Sequence, residues 1–231
     1  MGDIVLHRGI RISKKDSKVP ARIIRGRLAA DIVFVIDTTG SMSDKIQGLL
    51  NTCERFADEI SRRVIDYRIA IVAFGDLTVL GDTIEGIPFT KSVEVIKNSL
   101  RNIPRNSGGG NEGESSLEAL CKALRYEYRK GAVKVFILIT DEPPLTLNYK
   151  VEDVIQRLRR AKVMAFCIAP NLLSFKRIAK DTGGDFFLVG RQADFLSIID
   201  RLGKRVSQKV AKRYLELHAG NKPNPKSIRR R

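Results

Sequence analysis

The chain has no tryptophan, only two histidines and three cysteines, and 6% aromatic residues in a length of 231. Each shortage closes a class of function. Cys53, Cys121 and Cys167 stand far apart in apolar segments, none with a second Cys or a His nearby, so they read as buried free thiols. A zinc site and a disulfide framework are both set aside. His7 and His218 lie near the two ends, which leaves the central segment without an imidazole to activate Ser41 or any other nucleophile. Triad hydrolysis is excluded on that count. No apolar run approaches the roughly 18 residues that a membrane-spanning helix needs. There is no apolar signal-peptide core at the N-terminus, and Leu6 stands where a myristoylation signal needs Ser or Thr. An intracellular, cytoplasmic protein is expected.

What is present is a 43% hydrophobic chain, long enough for one α/β domain with a full core and some extra length. The formal charge of +16 is unevenly placed. Residues 1–30 hold eight Lys/Arg against two Asp, and residues 201–231 hold eleven against one Glu, so the two ends carry the whole excess and the middle is neutral. The expected organisation is a basic extension over 1–30, a domain over 31–202, and a basic helix end and tail over 203–231. Basic arms of this kind either solubilise or attract a polyanion, because each fixed cation that meets a phosphate releases a counterion. Tyr214 is their one aromatic, so contact with nucleic acid there would be to phosphate and not by base stacking.

The middle alternates strand and helix signals. Asp31–Asp37, Tyr67–Phe74, Ala132–Thr140, Val163–Ala169 and Asp185–Val189 read as strands. Asp44–Arg63, Ser92–Leu100, Glu114–Tyr128, Val151–Arg160, Leu172–Lys180 and Ala193–Val210 carry helical spacing. Gly75–Gly86 reads as turns, and the glycines from Gly108 to Gly113 enforce a loop. The alternation implies a doubly wound, mostly parallel sheet flanked by helices, with its ligand site beyond the carboxyl ends of the central strands.

Asp37-Thr38-Thr39-Gly40-Ser41 follows the apolar run Ile32–Ile36, and Thr140-Asp141 follows Val135–Ile139. Two strands ending side by side would bring both aspartates and the hydroxyls of Thr39 and Ser41 to one edge, a set of hard oxygen donors suited to Mg²⁺. The plain alternative is a helix N-cap, for which Thr39 and Ser41 are preferred types. The glycine loop lacks the Lys-Ser/Thr ending of a P-loop and the spacing of a dinucleotide site. Asp76 and Asp82 read as turn formers, and Phe186-Phe187 as core.

Together these motifs resemble the von Willebrand factor A domain with its metal-ion-dependent adhesion site, over about residues 31 to 202. The first element in most members is Asp-x-Ser-x-Ser, and Thr39 here keeps the middle hydroxyl. The resemblance implies a Rossmann-like fold and a divalent cation (Mg²⁺, or Mn²⁺ or Ca²⁺) held by Asp37, Thr39, Ser41 and Asp141. Where members place a Thr in the second loop, this chain offers Asn111, with Ser107, Ser115 or Glu112 as alternatives. It further implies a non-enzymatic module that binds an acidic side chain of a protein partner, inside an intracellular assembly of the kind that includes AAA-type ATPases. Two other readings stand beside it: a nucleic-acid-associated scaffold acting through the basic arms, and a Mg²⁺-dependent phosphoesterase with Glu112 or Glu114 as base. A dehalogenase-like phosphatase fails at Thr39, where it would need an acid/base Asp.

Overall fold

The computed structural model describes residues 28–62, 65–109, 113–190 and 192–218. Six strands form one sheet in the order β3-β2-β1-β4-β5-β6. They are β1 (Leu28–Asp37), β2 (Ile65–Phe74), β3 (Ile84–Thr90), β4 (Val133–Ile139), β5 (Val163–Ala169) and β6 (Phe186–Leu188). Only β3 runs antiparallel to its neighbour; β1, β2, β4, β5 and β6 are parallel. The helices are α1 (Ser43–Arg62), α2 (Val93–Arg101), α3 (Ser116–Ala123), α4 (Val151–Arg160), α5 (Leu173–Thr182) and α6 (Gln192–His218). The expected doubly wound α/β architecture is present.

The period-two direction of strand side chains divides the core into two layers. Ile32, Phe34 and Ile36 of β1 face one side with Ile137 and Phe166, where α1, α2 and α6 supply Phe56, Leu100 and Leu202. Val33 and Val35 face the other with Phe136 and Leu138, against Leu120, Leu158 and Ile178 of α3, α4 and α5. Burial on both faces explains why the central strands are unbroken apolar runs. Phe34 and Phe56 meet edge-on, with ring centroids 5.3 Å apart. Cys53, Cys121 and Cys167 are buried and free, as expected.

One buried charge organises the amino ends of the strands. Asp31 is fully buried, and its Oδ1 accepts from Arg68 Nε (2.8 Å) and Arg129 Nε (2.7 Å). Its Oδ2 accepts from Arg68 Nη2 (2.9 Å) and the Arg129 backbone N–H (2.7 Å). Four charge-assisted donors compensate the desolvated carboxylate and tie β1 to β2 and to the segment before β4.

Three expectations need correction. The stretch expected to be turns through Gly86 becomes strand β3 from Ile84. It is an edge strand, where Pro88 is tolerated because its missing N–H faces no partner, and the register shifts between Ile69 and Ile71. The helix expected over Glu114–Tyr128 spans only Ser116–Ala123. Beyond Leu124 the chain turns so that Tyr126 Oη lies 2.8 Å from the Ile71 carbonyl and 3.1 Å from that of Ile87, bridging the irregular β2–β3 pairing. The last helix runs to His218, past the expected Val210, with Tyr214 packed on the core. Other boundaries move by one to three residues, as frayed ends do.

Candidate functional site

Ile36 pairs with Ile139 in parallel register, so β1 and β4 release Asp37 and Thr140-Asp141 at the same sheet edge. Asp37 is fully buried there. Its Oδ1 accepts from the Thr39 backbone N–H (3.0 Å) and Thr39 Oγ1 (2.7 Å), and its Oδ2 accepts from Thr140 Oγ1 (2.7 Å). Thr39 Oγ1 lies 3.4 Å from Ser41 Oγ, which donates to Asp141 Oδ1 at 2.9 Å. Lys45 completes the line, its Nζ donating to Asp141 Oδ2 (2.9 Å) and to the Ser41 carbonyl (3.0 Å). The four residues expected from the first and third loops thus form one continuous cluster. It runs from the sealed Asp37 to the exposed Ser41.

The capping alternative is answered by the local geometry. A 3-10 turn over Gly40–Met42 precedes α1, and Thr39 at its N-cap position makes no side-chain cap bond. Ser43 Oγ donates to the Gly40 carbonyl, which is not a cap either. The hydroxyls of Thr39 and Ser41 face the aspartates instead.

Burial without a fixed positive partner pushes the Asp37 carboxyl up to about 6, against the opposing pull of its three hydrogen bonds. Glu114 is more perturbed: burial, and then repulsion from Asp37, Asp76, Asp82 and Glu142, raises its carboxyl to about 8. Only 4% of Glu114 is exposed, and its Oε2 has no hydrogen-bond partner. Its backbone is pinned to the loop after β4, with N–H donating to the Pro143 carbonyl (2.9 Å) and C=O accepting from Leu145 (2.9 Å). A Cβ on Gly108 would lie 3.0 Å from Glu114 Oε1 and 3.2 Å from Thr39 Cγ2, which places the Glu114 carboxylate beside the first loop. In the sequence Glu114 stands out only as a candidate base; its approach to Asp37 depends on the pinning by Pro143, which no local pattern announces.

Of the second loop, Asn111 and Glu112 lie outside the described residues. Ser115 is buried, with its Oγ accepting from the Leu77 N–H at 2.9 Å, so it serves the β2–β3 loop. Ser107 is exposed. Asp82 holds this loop by accepting from the N–H groups of Ser107 (2.7 Å), Gly108 (2.9 Å) and Asp76 (3.1 Å), and Asp76 Oδ1 accepts from Thr78 N–H at 2.8 Å. Asp76 is a turn former, as expected, whereas Asp82 is a buried brace between the β2–β3 loop and the glycine loop, a correction to its reading as a turn former. A Cβ on Gly109 would fall 1.7 Å from Asp76 Oδ2, so glycine alone fits that approach.

Among the described residues no group of three or more His, Cys, Asp or Glu side chains is placed to hold a metal ion. Two carboxylates and two hydroxyls are what the first and third loops assemble. Their chemistry fits a hard divalent cation, and the orphaned Glu114 Oε2 and desolvated Asp37 are buried carboxyl oxygens at that edge with no fixed cation beside them.

The family model of the von Willebrand factor type A domain matches residues 31–200. The chain belongs to that family. Its members are protein-interaction domains that commonly bind a divalent metal. No curated protein matches the chain. No helix among the described residues is long and apolar enough to cross a membrane.

Proposed function

We propose that this domain is a non-enzymatic protein-binding module whose docking depends on a divalent cation, Mg²⁺ or a similar ion, at the Asp37 edge. The observation that carries the reading is the unbroken line Asp37–Thr39–Ser41–Asp141, whose hydroxyls are spent on carboxylates and not on capping. Asp37, Thr39, Ser41 and Asp141 would hold the ion, with Asn111 offered by the second loop. The bound ion supplies Lewis acidity toward an oxygen donor from outside. The protein's own part is to fix the hydroxyls by the carboxylates, to keep water from Asp37, and to leave the Ser41–Asp141 rim open to a partner's acidic side chain. A cytoplasmic multiprotein assembly, of the kind organised by AAA-type ATPases, is the setting we favour.

Glu114 is the one observation favouring hydrolysis of a phosphoester instead. With its carboxyl raised to about 8, it is protonated at neutral pH, so it is poorly placed to accept a proton from water. Titration calorimetry of chelator-treated protein with Mg²⁺ and Mn²⁺ tests the proposal. One-site binding lost in Asp37→Ala and Asp141→Ala is expected, with no turnover of a generic phosphoester under the same metal. Folded protein that takes up neither ion to millimolar concentration would remove the metal-dependent reading.

A further inference from the structure

A groove of about 480 Å³ opens at the end of the molecule opposite Asp37. It lies where β5 begins at Val163 and α5 closes at Thr182, with the second half of α6 as its wall. Its lining includes Arg159, Lys162, Lys180, Lys209, Lys212 and Arg213, against two acids. Both acids are engaged: the Glu216 carboxylate accepts from Arg213 at 3.0 Å, and Asp181 lies 3.9 Å from Arg177, which is not in the lining. Lys209 pairs with Asp185 at 3.0 Å. Among the described residues, Arg159, Lys162, Lys180 and Lys212 have no carboxylate partner.

Like charges left unpaired in one recess repel one another, and an anion between them relieves that repulsion. Lys162 follows the C-cap of α4 with φ 58°, the left-handed conformation in which helices commonly end and which glycine takes at lower cost, and its side chain lines the recess. A second recess of about 420 Å³ continues from the first, sharing Lys162 and Arg213 and adding Lys130 and Lys134.

We infer that this track binds the phosphodiester backbone of a nucleic acid. Two recesses joined end to end, with cations along both, suit a polymer that carries one negative charge per unit better than a single phosphate group. Tyr128 is the one aromatic in either recess, and Lys134 lies over its ring at 5.0 Å, so the contacts are to phosphate and carry no base readout. The inference is independent of the metal site at the other end of the strands.

Fluorescence anisotropy of the full chain with a labelled duplex and a labelled single strand, over a range of salt, tests it. For duplex the slope of log K against log salt is about −0.9 per phosphate neutralised. Reversing Lys162 and Lys212 to Glu together is expected to flatten the slope by about 2 and to weaken binding at least about tenfold. The same charge change at Arg101→Glu and Arg105→Glu, on the β3 side of the sheet, should leave most of the slope. Lys162→Gly removes one groove cation while relieving the left-handed backbone, so it should weaken binding with no loss of melting temperature. Equal losses from both pairs, or none from the groove pair, would show that net charge or the arms bind and would overturn the assignment. Tighter binding of polyglutamate than of nucleic acid at matched charge would overturn it in favour of an acidic protein.

Discussion

Lys45 already gives Asp141 a positive partner at 2.9 Å, so a divalent ion entering the cluster must share that carboxylate with an ammonium. Lys45→Met keeps the aliphatic stem and removes the charge. It is expected to raise Mg²⁺ affinity several-fold by calorimetry, whereas Thr39→Val and Ser41→Ala lower it by about tenfold, the scale of one lost ligand-shell contact. The carboxyls of Asp37 and Glu114 set the pH behaviour. Folding raises Asp37 from 3.8 to about 6 and Glu114 from 4.5 to about 8, so across that interval the folded chain binds more protons than the unfolded one. Stability of the metal-free protein therefore falls as pH rises from about 4 to about 8, with Asp37 contributing a loss on the order of 3 kcal/mol. A cation favours the ionised carboxylates, so the Mg²⁺-induced gain in Tm should be larger at pH 8 than at pH 5.5. Melting curves at both pH values, with and without Mg²⁺, check this. Glu114→Gln should raise the Tm of the metal-free protein near pH 8.5. At this scale, Asp37, Thr39, Ser41 and Asp141 were legible because each stands at or just past the end of an apolar strand. Glu114 was not, since its placement comes from contacts with a loop some thirty residues away.

Among the elements, the long apolar strands and the helices with a clear 3.6 period were readable to within a few residues, because burial on one or both faces leaves a periodic trace. Strand β3 left none. Its half-exposed pattern, with Gly86 and Pro88 inside it, matches a turn as well as an edge, and only pairing with β2 decides. The helix α3 was overextended because Leu124 continues the apolar spacing while Tyr126 and Tyr128 turn away to bond backbone carbonyls. Tyr126→Phe should therefore loosen β3 in particular, at a cost of about 1 to 2 kcal/mol in urea unfolding, with faster amide exchange at Ile87 than in β4. In α6, a Cβ on Gly203 would meet Glu59 and Phe56 atoms at 3.4 to 3.5 Å, an ordinary contact. Gly203→Ala is expected to stabilise the protein by about 0.5 to 1 kcal/mol through helix propensity alone, read as a higher urea midpoint.

For the molecule as a whole, the parallel sheet sorts its chemistry by end. Acidic groups gather beyond the carboxyl ends of the strands, and the amino ends carry Arg68 and Arg129 around the buried Asp31. That carboxylate is the counterweight to two guanidiniums. Asp31→Ala should cost on the order of 2 to 3 kcal/mol, because two guanidiniums, each about a quarter exposed, lose their shared carboxylate while Arg129 keeps Asp66. A cost below about 1 kcal/mol in urea unfolding would show that solvent and Asp66 compensate the pair fully.

The two margins of the sheet are unlike its centre. One is β3, interrupted by Pro88 and a register shift; the other is β6, only three residues long. Neither offers an incoming strand a long, flat row of free N–H and C=O groups. Copies of this domain brought to high local concentration are therefore kept from zipping together through the backbone, and any contact between them is left to side chains.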